Sequence, residues 1–273
     1  VIKLKIKNKK LKIKMVMNRC SKLASDSMKG NYILGGSIDK KNTIYLILAS
    51  ILAGIGLFMN TKSVVLGSML ISPISVPIFR SVIGILSFKS AVVWKNGLFF
   101  LALNVIAYLI GITMSLINSY IEYFDTPTLE MESRVSMPKY VGNIIVPILA
   151  GLTMSVASYY DDMVVLVGIG LVISFLPPVV NGGLYHGRYI YDKLNSKRED
   201  NIIIKKDKGK NDTLESNPED NAIVGDDKNI HQYSLINKGL VSLALGGINM
   251  LCVFVTAMIA LYFICSCKKC DLL

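Results

Sequence analysis

The sequence predicts an all-α, polytopic membrane protein of about six transmembrane helices. They are arranged as two inverted three-helix repeats, each with one Pro-broken helix. Three observations carry this. Hydrophobic residues make up 52% of the 273 residues, and they are gathered into runs near the roughly 20 residues that cross a bilayer. A soluble chain of this length would scatter them at a period of 2 or 3.6. Two of the apolar runs carry prolines, and the runs, turns and prolines recur in one order along the two halves.

Residues 1–42 form a basic arm. Eleven lysines and Arg19 stand against Asp26 and Asp39, which accounts for +10 of the net charge of +11. Its start, VIKLKIKNKKLKIKMVM, alternates apolar and basic residues until Asn8-Lys9-Lys10 breaks the pattern. A loose cytoplasmic anchor is expected, since positive charge marks the cytoplasmic side. The same charge favours anionic lipid headgroups, at about 1 kcal/mol per basic residue near the surface. Nucleic acid is not expected as a partner, because no aromatics are interleaved with the lysines to stack on bases. A secretory signal is not expected either: the basic run is too long and no short apolar core follows it. The chain opens on Val1 rather than Met, as a piece of a longer protein would.

The first repeat is placed at residues 43–117. Its first span, Thr43 to Met59, is lined with Ala49, Ser50, Ala53, Gly54 and Gly56, small residues that let helices approach closely. After the polar turn Asn60-Thr61-Lys62-Ser63 comes Val64 to Arg80, VVLGSMLISPISVPIFR. Pro73 and Pro77 each lack an N–H and crowd the carbonyl one turn back, so this helix is expected to kink or unwind. In hydrocarbon the freed backbone groups need protein or a water-lined cavity around them, and Ser68, Ser72 and Ser75 supply hydroxyls. The third span runs from Gly97 to Ile117 and contains Asn104. An acidic loop, residues 118–139, is expected to lie outside.

The second repeat is placed at 140–184 and 239–265. Its first span starts near Tyr140 and contains Pro147; a turn ending at Asp161-Asp162 follows, then Val164 to Gly183. That span carries Ser174, Pro177-Pro178 and Asn181. Between the halves of this repeat lies a polar insertion, 185–238, whose ten basic and ten acidic residues cancel. With few apolar residues it is expected to be disordered. A Cys/Lys tail, 266–273, ends the chain; its cysteines beside lysines suit lipidation, and no fourth ligand is in sight for a metal.

The repeat rests on specific matches. VVLG at Val64 aligns with VVLV at Val164, and at the same offset Pro77 falls on Pro177. Gly97-Leu98-x-x-Leu101-Ala102-Leu103 aligns with Gly239-Leu240-x-x-Leu243-Ala244-Leu245. Three spans per repeat is an odd number, so the second half enters from the other side. In such folds paired interrupted helices meet near the midplane and bind substrate or ion there. The expected substrate site therefore gathers Ser72, Pro73, Ser75, Pro77, Ser174, Pro177, Pro178 and Asn181. Asp161 and Asp162 are the candidates for an ion or proton; an interfacial turn is their ordinary reading. Arg80 is read as a snorkelling arginine, with anion binding as its functional alternative.

The stretch Gly67-x-Met69-Leu70-Ile71-x-Pro73-x-x-x-Pro77, with Asn60 before it and Gly168 and Leu176-Pro177-Pro178 after it, resembles the domain of unknown function 389 family. The likeness covers about Lys41 to Ile264, the insertion apart. It implies a polytopic membrane protein and carries no activity. Val76 stands where the family would place Gly, and Ser68 where it would place Ala.

No catalytic constellation can be assembled. Tyr160-Asp161 lacks the second carboxylate that an aspartyl protease needs, both histidines fall in the polar insertion, and no metalloprotease, P-loop or dinucleotide fingerprint is present. Neither an enzyme nor a cofactor nor a metal site is expected. Two function classes remain: a small-solute or ion transporter with its site between the broken helices, and a non-transporting membrane scaffold or assembly partner. The expected partners are the bilayer itself, anionic headgroups and a second copy of the chain. The N-terminus is expected in the cytoplasm, although Arg188, Lys193, Lys197 and Arg198 then fall outside.

Overall fold

A computed structural model of the chain describes residues 40–86, 90–135, 140–160, 175–207 and 218–266. The basic arm up to residue 39, the candidates Asp161, Asp162 and Ser174, and the tail beyond Ser266 lie outside the described residues. Those described fold into helices and turns: α1 (Lys40–Phe58), α2 (Lys62–Ile71), α3 (Ser75–Leu86), α4 (Ser90–Ile121), α5 (Leu129–Ser133), α6 (Tyr140–Tyr160), α7 (Leu176–Asp207) and α8 (Pro218–Ser266).

Three stretches are long and apolar enough to cross a membrane: Lys40–Phe58, Val93–Ile121 and Gln232–Ile264. Their outward faces are greasy. On α4, Leu98, Leu101, Val105 and Leu109 are exposed; on α8, Leu251, Val255, Ile259 and Phe263 are. These steps of three and four residues draw one apolar stripe along each helix, facing away from the core, as lipid as solvent requires. Trp94 and Tyr120, both at least 80% exposed, bracket the α4 stripe. At 1.5 Å per residue they stand about 39 Å apart, which matches two interfacial aromatic belts. The chain is a multi-pass membrane protein.

Direction along the bundle follows from close approaches. Gly183 of α7 lies against Gly111 of α4, and Gly187 lies against Ser115 one turn on, so α4 and α7 run parallel. His186 sits over Gly239 and Pro178 against Gly246, so α8 runs antiparallel to α7. Ser155 of α6 donates to the Ala257 carbonyl of α8 at 3.0 Å, while Gly151 meets Val253 and Thr256; these two helices run parallel. Small-xxx-small pairs such as Gly111/Ser115 and Gly183/Gly187 let backbones touch where no hydrophobic effect drives helices together. Helix α7 is the hub, touching α1, α2, α4 and α8.

Two expectations are corrected. The insertion 185–238 is helical where described, continuing α7 through Asp207 and opening α8 at Pro218. Its first residues belong to the core: Tyr185 is 1% exposed, and His186 Nδ1 lies 2.9 Å from the Tyr108 hydroxyl. Balanced charge over the whole segment masked a Gly183-x-x-x-Gly187 seam that carries the helix past Gly183. The acidic loop 118–139 is not a simple outer loop, since α5 lies within it with Glu130 and Met131 buried. Pro177 and Pro178 stand in the first turn of α7, where their missing N–H groups are orphans in any helix; the stretch before Phe175, where the expected break would fall, lies outside the described residues.

Candidate functional site

The break in the first repeat lies at Ser72-Pro73-Ile74, between α2 and α3. Ser72 takes the extended backbone (φ −70°, ψ 126°) that a residue before proline prefers. Its N–H still donates to the Ser68 carbonyl at 3.2 Å, and its hydroxyl accepts from the Ile74 N–H at 3.4 Å. Ser81 donates its hydroxyl to the Pro77 carbonyl at 2.8 Å. The Ser68 carbonyl, the Ile74 N–H and the Pro77 carbonyl are thus met by groups within a few residues of the break. Ile74 and Pro77 are buried, Ser72 and Pro73 half-buried, and Ser75 opens α3.

A second polar group is assembled from distant parts of the chain. Asn181, on the buried face of α7, is fully enclosed. Its Nδ2 donates to the Met131 carbonyl of α5 at 3.1 Å and to the Ser242 hydroxyl of α8 at 3.2 Å. Ser242 in turn donates to the Pro178 carbonyl at 2.9 Å. Both amide protons of Asn181 and the hydroxyl proton of Ser242 are therefore spent, while Asn181 Oδ1 is buried without a partner. One turn further along the same face, the Tyr185 hydroxyl is also buried and unpartnered. Leaving such a group unpaired costs about 1–3 kcal/mol. Glu132 is near enough to Tyr185 to act on its phenol electrostatically, and it accepts from Lys238 of α8 at 3.1 Å.

Segment 118–135 is what closes this group from one end of the bundle. Asn118 exchanges two hydrogen bonds with the Phe124 backbone, at 2.9 and 3.0 Å, and Phe124 stacks on Phe58 of α1. Thr128 caps α5 by accepting from the Met131 N–H at 3.3 Å, and donates to the Leu57 carbonyl at 2.7 Å. Asn60 Oδ1 accepts from the Glu130 N–H at 2.8 Å; Asn60 can serve because asparagine tolerates the left-handed backbone it adopts there (φ 54°). Buried Glu130 is paired with Arg134 at 2.7 Å. Thr61, Ser119 and Arg134 also keep an unpartnered buried atom at this end.

Of the residues picked from sequence, Asn181 and Pro178 come together, joined by Ser242 and the Met131 carbonyl. The hydrogen bonds of Asn181 and of Ser72 lead to different neighbours, and none links the two. Pro177 is buried beside Pro178. Arg80 holds two buried guanidinium nitrogens, Nε and Nη1, without a partner. Tyr185, Ser242, Glu132 and Lys238 were not picked out. For Tyr185 the signal was its i+4 spacing from Asn181, and for Ser242 its place in the apolar run after Gly239. No group of three or more His, Cys, Asp or Glu is placed to hold a metal among the described residues.

The family described as Domain of unknown function (DUF389) matches residues 69–255, and the chain belongs to it. No curated protein and no solved structure matches. The match takes in α3 to α7 whole, the break at Ser72 to Ile74, and the Asn181, Tyr185 and Ser242 group.

Proposed function

From membership in a family without an assigned activity, we propose that this chain is a small-solute or ion transporter whose site is the polar group between α5, α7 and α8. The observation that carries the reading is the pair of enclosed, unpartnered polar atoms on one face of α7, Asn181 Oδ1 and the Tyr185 hydroxyl. Polar side chains inside a membrane bundle are costly and mark solute or ion paths. A chain selected only for packing would place apolar residues at both positions. The site of this reading shares no hydrogen bond with the Ser72–Pro77 break, and the break serves as a joint in the wall beside it.

The reading includes about six spans in two inverted repeats. It is supported by the direction of the helices: α1 and α4 run one way, α6 and α8 the other. The short apolar helices Lys62–Ile71 and Ile145–Ala157 fit the second and fourth spans. The basic arm on anionic headgroups belongs to the same reading, supported by its charge.

A second reading, a non-transporting scaffold, is favoured by one observation. Two grooves among the described residues are almost wholly apolar, one between α1 and α4 of about 630 Å³ and one between α4, α7 and α8 of about 290 Å³. Flux across a panel of small solutes and ions in proteoliposomes separates the two. Transport of any member at a rate above empty liposomes supports the first reading; a reconstituted, folded protein inert to the whole panel supports the second.

A further inference from the structure

The transported or bound species is identified by what Asn181 and Tyr185 have left to offer. We infer that they hold a monovalent inorganic cation, Na⁺ or K⁺, an inference that rests on the site proposed above. The donors of Asn181 and Ser242 are used up. Both Asn181 amide protons go to Met131 and Ser242, and the Ser242 proton goes to Pro178. What is left over is the Asn181 carbonyl oxygen and the lone pairs of the Tyr185 hydroxyl, buried without a partner one turn apart on α7, with the Glu132 carboxylate acting on that hydroxyl. An anion finds no fixed donor there except the tyrosine proton. A cation finds oxygens, the ligands hard cations take.

Charge and size narrow the class further. A divalent cation draws on carboxylates directly, and no cluster of three acidic, His or Cys groups occurs among the described residues. Glu132 is moreover already paired with Lys238. One carboxylate at the rim and neutral oxygens inside match a single positive charge. An organic ammonium needs a wide opening, yet Asn181 is fully enclosed and Tyr185 nearly so. A bare monovalent ion needs only the small space between the oxygens that ligate it. Lys238 then has a natural part as the competing cation, holding Glu132 when the site is empty of Na⁺ or K⁺.

The test is thermal unfolding of the purified full-length protein in detergent micelles. NaCl and KCl are each titrated against N-methylglucamine chloride at constant ionic strength. The expected result is a midpoint that rises with Na⁺ or K⁺ and saturates, because a ligand that binds only the folded state stabilises it. Tyr185→Phe removes one oxygen and no bulk; its half-saturating concentration should rise about tenfold, the size of one lost hydrogen-bond-strength contact. Asn181→Asp, which adds a charge to the same frame, should bind more tightly than the native protein. A midpoint identical in all three salts overturns the inference, as does a cation effect of equal size in Tyr185→Phe. Saturable stabilisation without flux keeps the cation site and defeats transport; flux of another solute without stabilisation does the reverse.

Discussion

Asn181 of α7 donates to the carbonyl of Met131 at 3.1 Å, across 50 residues of sequence. One amide proton thus ties the segment after α4 to the helix at the hub of the bundle. Its second proton goes to Ser242, so three elements meet on one side chain. Interhelical hydrogen bonds in membranes average about 0.6 kcal/mol and reach about 1.7.

The first prediction follows from that shared side chain. Ser242→Ala should lower stability in micelles by about 1 kcal/mol, and Asn181→Ala by somewhat more, since it also frees the Met131 carbonyl. Because the two residues share one bond, the double variant should lose less than the two single losses added together, as contacting residues do. A double-mutant cycle read by denaturant unfolding checks this. Strict additivity would mean that the two side chains do not interact.

Glycine positions make a contrasting pair. A Cβ on Gly183 would press on the Tyr108 carbonyl and lie 3.0 Å from the Gly111 Cα, whereas one on Gly67 meets nothing within 4 Å. Gly183→Ala should therefore destabilise by about 1–3 kcal/mol, the usual cost of overpacking. Gly67→Ala should be neutral or mildly stabilising. Comparison of the two unfolding midpoints decides the matter, and equal effects would place the α4–α7 seam elsewhere.

Asn60 has two tasks that substitution can separate. It holds a left-handed backbone (φ 54°) and accepts the Glu130 N–H. Asn60→Gly keeps the first and loses the second; Asn60→Ala loses both. The alanine variant should be the less stable of the two by about 1 kcal/mol, the penalty of left-handed backbone for a Cβ-bearing residue. Limited proteolysis near residues 122–135 should quicken in both, since α5 loses a tether in each.

Much of this was legible in the sequence, and the limits have physical causes. Hydropathy found α1, α4 and α8, because runs of apolar residues survive any averaging. Pro73 located the end of α2, because the pre-proline restriction acts on the chain locally. Asn181 stood out as an amide after two prolines in an apolar run. Its partners did not: Met131 contributes a backbone carbonyl, which carries no side-chain signal, and Ser242 is one hydroxyl in a helix of similar residues. Tyr185, His186 and Gly187 were lost to a boundary drawn on charge, although the small-xxx-small spacing Gly183/Gly187 continued through it. Ser72 and Asn181, expected to converge on one pocket, bond to different neighbours: the half-buried serine beside Pro73 meets the Ile74 N–H, and Asn181 reaches Met131 and Ser242.

The inverted arrangement has its own check. Lys62 opens α2 at the end of the bundle where α5 docks, and Tyr160 closes α6 at the other end. Single cysteines at these positions in a cysteine-free background should react with an impermeant thiol reagent from opposite sides of sealed vesicles. Reaction from one side only would remove the inverted repeat.

The most direct test of the central claim is cation flux through the protein with and without its α7 site. Purified native protein, Asn181→Leu and Tyr185→Phe are reconstituted at equal density, and uptake of Na⁺ and K⁺ is followed under an imposed gradient. The account predicts uptake by the native protein, with loss in Asn181→Leu and strong reduction in Tyr185→Phe, while both variants remain inserted and monodisperse. Uptake that is unchanged in both variants, or absent in the native protein, would contradict it.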